Sequence, residues 1–109
     1  MTIAKKAKDQ FVKFLLGKSA VPRGLVELNQ YFWLYGPISF RRENGTDGNL
    51  IAISDNFRYG SIVTSGHDLE TLDENIKDAI LTSFDIPSSF AKEAKIYRTS
   101  DKGEEYALA

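Results

Sequence analysis

The stretch that most constrains this chain runs from Gly60 to Phe84, where a short strand, a tight turn and an amphipathic helix follow one another. From Asp68 onward, apolar residues recur every three or four positions, which predicts a helix with one apolar side. Asp68 suits the N-cap, because its carboxylate can accept the free backbone N–H groups at a helix start. Such a helix needs a surface to cover, and we predict that the preceding strands supply it. The predicted apolar side comprises Leu69, Leu72, Ile76, Ala79, Ile80 and Phe84.

The segments on either side predict an antiparallel sheet. Ile38 and Phe40 alternate with polar residues, and Asn44-Gly45 and Asp47-Gly48 are both preferred pairs for a hairpin turn. The return segment LIAIS is nearly all apolar, which predicts a central strand covered on at least one side. The first predicted strand begins at residue 38, and the others cover 50–54, 61–65 and 95–99. One helical turn is predicted at 89–95 and a last short strand pairing at 106–109.

Residues 25–35, LVELNQYFWLY, carry two patterns. We predict a short helix up to Asn29 and an extended chain from Tyr31, because Tyr, Phe and Trp favour a pleated, half-buried surface. A second complete helix with Leu25, Leu28 and Phe32 on one side is the alternative.

The N-terminal segment predicts an amphipathic helix over residues 3–16, ended by Gly17 and a connector that contains Pro22. We interpret its apolar side as core packing or a dimer contact, since the helix is short and lacks the wide basic face of a membrane-surface helix. That side comprises Ile3, Ala7, Phe11, Phe14 and Leu15.

Charge is distributed unevenly along the chain although the net charge is only −1. Residues 1–23 carry six basic side chains against Asp9, whereas residues 43–109 hold 13 acids and 6 bases. We favour packing of this basic arm against its own acidic domain or a neighbouring subunit over phosphate binding. If nucleic acid is bound, the candidate contacts are Lys5, Lys6, Lys8, Lys13, Lys18 and Arg23.

Length and composition predict one α+β domain over residues 1–109. Its parts are a basic N-terminal helix and connector (1–24) and a core (31–109) in which a small antiparallel sheet of three to four strands, in the order βββαβ, packs against one helix. There is no cysteine, and the apolar run near the N-terminus is too short for a signal peptide or a membrane span, so a cytoplasmic protein is expected.

The chemistry-bearing residues favour a binding protein over an enzyme. His67 is the only histidine, so no two-histidine metal site or Ser-His-Asp triad can form, and it lies in a turn where an exposed polar residue is ordinary. The acids that follow it are interpreted as the solvated side of the helix. Asp47 belongs to a hairpin turn, because the other ligands of a calcium loop are missing. We therefore expect no catalytic residue, metal or cofactor.

Residues 38–84 resemble the HicB family, the antitoxin half of HicA/HicB toxin-antitoxin pairs. The resemblance lies in the strand-turn-strand ISFRRENGTDGNLIAISDNF, the bend Arg58-Tyr59-Gly60, and the turn and helix GHDLETLDENIKDAI. The loop at Ile86-Pro87 also suits the family's layout, whereas the two prolines typical of the family's bend are absent here. The resemblance implies a partial RNase H-like α+β fold without nuclease activity.

The resemblance implies a function as well, namely a non-enzymatic antitoxin that binds and neutralises a HicA-like toxin RNase. A nucleic-acid-associated module that uses the basic N-terminal helix and a phage or mobile-element inhibitor are the alternatives. We also expect a homodimer, because a free strand edge and the aromatic run are plausible contact surfaces. The candidate partner or dimer contacts are Tyr31, Phe32, Trp33, Tyr35, Arg58 and Tyr59.

Overall fold

The computed structural model describes residues 23–99 and 104–109 and shows an α+β fold. The N-terminal helix predicted at 3–16 lies outside the described residues. The elements in chain order are helix α1 (Arg23–Tyr35), strands β1 (Ile38–Asn44), β2 (Leu50–Ser54) and β3 (Val63–Gly66), helix α2 (Leu69–Ser83), a 3₁₀ turn (Ser88–Phe90), helix α3 (Ala91–Ala94), and strands β4 (Ile96–Arg98) and β5 (Glu104–Leu108).

The strands form one curled antiparallel sheet in the order β3-β2-β1-β5-β4. The predicted hairpin is confirmed, and its turn closes through the Gly45 N–H, which donates to the Asn49 carbonyl at 2.7 Å. The sheet has five strands where three to four were predicted, since β5 is a full strand inserted between β1 and β4. Because β5 begins with two glutamates, its sequence did not indicate a partly buried strand, yet Glu104 and Tyr106 are both buried.

Helix α2 packs on one face of the sheet as predicted. The Asp68 carboxylate accepts the Thr71 N–H at 2.7 Å, which confirms the N-cap. Gly66 at the end of β3 lies directly under the helix, where an added Cβ would be 2.6 Å from the Leu72 nitrogen. Leu69, one turn before that contact, is 53% exposed, so its place in the predicted apolar side was wrong. The fully buried side chains of α2 are instead Leu72, Ile76, Ile80 and Leu81.

Helix α1 contradicts the predicted extended chain from Tyr31, because the helix continues to Tyr35. Leu25, Leu28 and Tyr31 recur every three residues and are all buried, so burial on the helical side outweighs the strand preference of the aromatic residues. The helix ends where Gly36, at φ +79, donates its N–H to the Phe32 carbonyl.

The two long helices meet at Gly24, the second residue of α1. An added Cβ there would clash with the Phe84 carbonyl oxygen and lie 2.7 Å from the Ile86 side chain. Only glycine therefore permits α1 to pack this closely on the end of α2. None of the described helices is long and apolar enough to cross a membrane.

Candidate interaction surface

Tyr31 is the centre of a cluster of aromatic rings at the C-terminal half of α1. Its side chain is buried, and its ring centroid lies 5.2 Å from that of Phe57 and 5.6 Å from that of Phe84. The ring of Tyr59 stands edge-on to it at 5.3 Å. The Phe84 and Tyr59 rings pack edge-to-face with Tyr31, which is favourable because the positive edge of one ring meets the negative face of another.

The hydroxyl of Tyr31 fixes the loop between β2 and β3. It accepts the backbone N–H of Arg58 at 2.9 Å, and it lies 3.5 Å from the Asn56 carbonyl oxygen as a donor. Burial raises the pKa of this hydroxyl, so it stays protonated throughout the neutral range.

The amide of Asn56 holds the same loop from the other side. Its Oδ1 accepts the Ser39 N–H at 2.9 Å, and its Nδ2 donates to the Pro37 carbonyl at 3.1 Å. One side chain thus satisfies a donor in β1 and an acceptor in the α1–β1 connection, and it ties the 55–60 loop to both.

Three side chains are presented to solvent by this support. The guanidinium carbon of Arg58 lies 4.6 Å from the centroid of the Tyr35 ring, a cation–π arrangement. Tyr35 is 41% exposed and Tyr59 is 65% exposed. We call Tyr35, Arg58 and Tyr59 the aromatic surface.

Trp33 lies on a different side of α1 from Tyr35, whereas the ring of Phe32 stands edge-on to that of Tyr31 at 5.8 Å. Trp33 is 85% exposed, whereas Phe32 is half-buried. The two line a groove of about 250 Å³ between the end of α1 and the end of β5. We call it the Trp33 groove; its lining is Asn29, Phe32, Trp33, Gly36, Pro37, Ala107 and Leu108.

Arginines elsewhere on the described surface are engaged by carboxylates. Arg41 contacts Glu43 and Asp55 at 3.2 and 3.3 Å, and these two hydrogen bonds raise the pKa of the guanidinium. The buried Glu104 carboxylate lies 3.2 Å from Arg42 and 3.6 Å from Arg98, so it joins β1 to β4 across β5.

Of the predicted nucleic-acid contacts, only Arg23 lies within the described residues. Its guanidinium is 3.7 Å from the Glu27 carboxylate on a largely exposed part of α1. The five lysines, Lys5, Lys6, Lys8, Lys13 and Lys18, fall in the range that the structure does not describe.

His67 and the acids of α2 have ordinary surroundings. His67 is exposed, with Nε2 3.3 Å from the Asp68 carboxylate. Asp73 accepts a hydrogen bond of 2.6 Å from the Tyr106 hydroxyl and pairs with Lys77. Within residues 23–99 and 104–109, no three metal-ligating side chains are grouped as a metal site would require.

The six residues predicted as partner contacts therefore divide into three roles. Tyr35, Arg58 and Tyr59 form one exposed surface, Tyr31 is its buried support, and Phe32 and Trp33 line the groove. Sequence reasoning missed Asn56, Phe57 and Phe84 as parts of the support. Phe84 was predicted on the apolar side of α2, but local sequence does not show its contact with Tyr31. The hydrogen bonds of Asn56 likewise reach residues 17 to 25 positions away.

Comparison of the chain with protein-family models, with curated proteins and with solved structures gave no match.

Proposed function

We propose that this protein is a non-enzymatic binding protein of the HicB-like antitoxin type, which neutralises a small protein partner through the aromatic surface. The observation that carries the proposal is the arrangement of Tyr35, Arg58 and Tyr59, which are exposed together beside the buried, hydrogen-bonded Tyr31. Tyr and Arg are enriched among the residues that dominate binding energy at protein interfaces.

The hydrogen bonds of the loop support this use of the surface. The loop that carries Arg58 and Tyr59 is held by the hydroxyl of Tyr31 and by the amide of Asn56. A partner that binds here orders few side chains, which lowers the entropic cost of association. The exposed rings can contribute apolar area while their hydroxyls remain available for hydrogen bonds at the rim.

The antitoxin form of the proposal rests on the order of elements. Strands β1, β2 and β3 followed by α2 occupy residues 38–83 in the order that the HicB resemblance implies. The partner is then a HicA-like toxin RNase, and masking its RNA-cleaving site requires no catalytic group in this chain. Self-association into a homodimer belongs to the same proposal.

Coexpression with the product of the neighbouring small reading frame tests the proposal. We expect a complex that survives size-exclusion chromatography and abolishes the RNase activity of the partner. A chain that elutes alone, with the partner still active, contradicts it. Light scattering on the isolated chain tests the dimer separately. A monomer at all concentrations would contradict self-association and leave the proposed partner complex unaffected.

Tyr59→Ala tests whether the aromatic surface is the contact. The few residues that dominate the binding energy of an interface cost at least about 2 kcal/mol when truncated, and we expect Tyr59 to be one of them, with roughly thirtyfold weaker binding. Tyr97→Ala is the matched control, because Tyr97 is another exposed tyrosine, 45% accessible on β4. Equal affinities of the two variants, measured by calorimetry, would place the contact elsewhere.

A further inference from the structure

We infer that the outer edge of β3 is a docking site for an extended, basic segment of another protein, which adds to the five-stranded sheet as a further strand. The inference goes beyond the proposed function, because it concerns the edge of the sheet beside α2 and not the aromatic surface. It does not depend on the antitoxin proposal.

The outer edge of β3 carries backbone groups that point away from the sheet. β3 lies at one end of the sheet and pairs with β2 alone among the described strands. The Ser54 N–H donates to the Ile62 carbonyl at 2.9 Å, which makes these two residues a hydrogen-bonded pair. Such pairs alternate with non-hydrogen-bonded pairs along an antiparallel ladder, so Val63 and Ser65 belong to the second kind. Their N–H and C=O groups therefore point outward.

A contact with α2 agrees with this direction. Asn75 donates its Nδ2–H to the Ser65 carbonyl at 2.7 Å, which requires that carbonyl to point outward. The other outward groups, the N–H and C=O of Val63 and the N–H of Ser65, find no partner within the described chain. Natural sheets often protect such an edge with lysine or proline, and residues 61–66 contain neither. The edge is thus open to a further strand, and Val63 on it is 60% exposed.

A groove of about 360 Å³ lies between this edge and α2, and we call it the β3 groove. Its α2 wall is built from residues three or four positions apart, which share one side of the helix. A strand laid along the edge would point every second side chain toward this wall. The lining is Ser61, Ile62, Val63 and Thr64 on one side and Asn75, Asp78, Ala79, Thr82 and Ser83 on the other.

The α2 wall of the β3 groove offers hydrogen-bond acceptors. The Thr82 hydroxyl donates to the Asp78 carbonyl at 3.0 Å, and the Ser83 hydroxyl donates to the Ala79 carbonyl at 2.9 Å. Because each hydroxyl has a single proton, both can only accept from a ligand. The carboxylate of Asp78 adds two acceptor oxygens and a negative charge.

The charge of Asp78 defines the occupant. Asp78 is exposed, and the neighbouring Lys77 pairs instead with Asp73 at 3.1 Å. A Lys or Arg side chain carries donors and a positive charge and has no acceptor, so it complements this wall. The occupant is therefore an extended segment with Lys or Arg at a position that faces α2. Its main-chain hydrogen bonds supply affinity, and its alternate side chains supply specificity.

A second copy of this chain fits the β3 groove less well. Symmetric pairing of two β3 strands would place two α2 walls beside each other on one face of the joined sheet. Each wall brings the Asp78 carboxylate and the two accepting hydroxyls, so like charges would meet without a cation between them.

Peptide arrays test the chemistry of the occupant. The probes are blocked peptides of about six residues, the usual length of a strand, with one central residue fixed as Lys, Arg, Glu or Leu and the others varied. We expect the Lys and Arg sets to capture the full-length protein. Asp78→Asn should weaken this capture about tenfold, because it removes the charge of the acceptor. Glu74→Gln, which removes an exposed acid of the same helix outside the groove, should leave it unchanged.

Three results of this experiment would overturn the inference. They are equal capture by all four sets, capture by none of them, and an equal loss of capture in Asp78→Asn and Glu74→Gln.

Amide hydrogen exchange followed by NMR tests the backbone pairing separately. In the isolated protein the N–H groups of Val63 and Ser65 should exchange fast, whereas that of Thr64, which faces β2, should be protected. A captured Lys peptide should protect Val63 and Ser65 as well. Capture without this protection excludes strand addition.

Protection of Val63 and Ser65 without peptide also overturns the inference. Protection that is lost on dilution assigns the edge to a second copy, and protection at all concentrations assigns it to another part of the same chain.

Discussion

The hydroxyl of Tyr106 donates a hydrogen bond of 2.6 Å to the carboxylate of Asp73, and this contact joins strand β5 to helix α2. Tyr106 is fully buried, and its ring packs perpendicular to that of Phe40 on the adjacent strand. The bond therefore holds α2 to β5, the strand that lies between β1 and β4 in the sheet.

Tyr106→Phe should destabilise the protein by about 1.5 kcal/mol, the lower end for a hydrogen bond to a charged group, because Asp73 is partly exposed and keeps Lys77 as a partner. Urea denaturation followed by circular dichroism measures the change. Tyr97→Phe, on the exposed edge strand β4, should change the free energy of unfolding little. Equal stability of the two variants would mean that the bond contributes nothing net.

The same contact predicts a loss of stability in alkali. Burial, then the bond to Asp73, raises the pKa of Tyr106 above its ordinary value of 10.0. Above pH 10 the unfolded chain releases this proton while the folded protein retains it, so rising pH favours unfolding. The difference in stability between the unmodified protein and Tyr106→Phe should thus narrow above pH 10. A constant difference between about pH 8 and about pH 11, which lie on either side of the ordinary tyrosine pKa of about 10, would contradict the assignment.

Tyr31→Phe should both destabilise the fold and weaken partner binding. It leaves the Arg58 N–H without its acceptor, at a cost of about 1 to 2 kcal/mol, and it frees the loop that carries Tyr59. Tyr97→Phe is the matched control, because Tyr97 is a 45% exposed tyrosine on β4, outside the aromatic surface. Chemical denaturation and binding calorimetry on both variants separate the two effects.

Gly24→Ala should be among the most damaging small substitutions in the described chain. The new methyl group clashes with the Phe84 carbonyl and the Ile86 side chain, so α1 must move off the end of α2. Overpacking of this kind costs about 1 to 3 kcal/mol, although alanine is the better helix former. Gln30→Ala, at an exposed position of the same helix, should be neutral or slightly stabilising in thermal melts.

Asp68→Ala should destabilise α2 by removing the side-chain acceptor of the Thr71 N–H. That N–H holds the pKa of Asp68 below its ordinary value of 3.8, so the charged cap contributes above this pH and is lost as acid protonates it. Asp68→Asn should keep the cap and remove its acid dependence. Denaturation curves at neutral and acid pH compare the unmodified protein with the two variants. An equal loss of stability in acid for all three would exclude the Asp68 carboxylate as the titrating group.

How much of this fold could be predicted depended on whether the responsible contacts are local. Helix α2 and its Asp68 cap were predicted correctly, because a helix start needs only residues three positions apart. The β1–β2 hairpin was predicted for the same reason, since its turn residues themselves favour the reversal.

Residues 25–35 and 104–108 show where local reasoning failed. The aromatic run could have formed either a strand or a helix, and burial of Leu28 and Tyr31 against distant segments decided for the helix. Strand β5 was underestimated because the buried carboxylate of Glu104 pairs with Arg42 and Arg98, which come from two other strands.

The same distinction between local sequence and contacts of distant segments applies to the candidate interaction surface. The sequence by itself determined which residue types were available, among them Tyr59 and the arginine beside it. Only the tertiary structure decided that Tyr31 would be their buried support and that Trp33 would face another side of α1. The physical reason is that side-chain periodicity is a property of neighbours in sequence, whereas burial is a property of the surfaces that folding brings together.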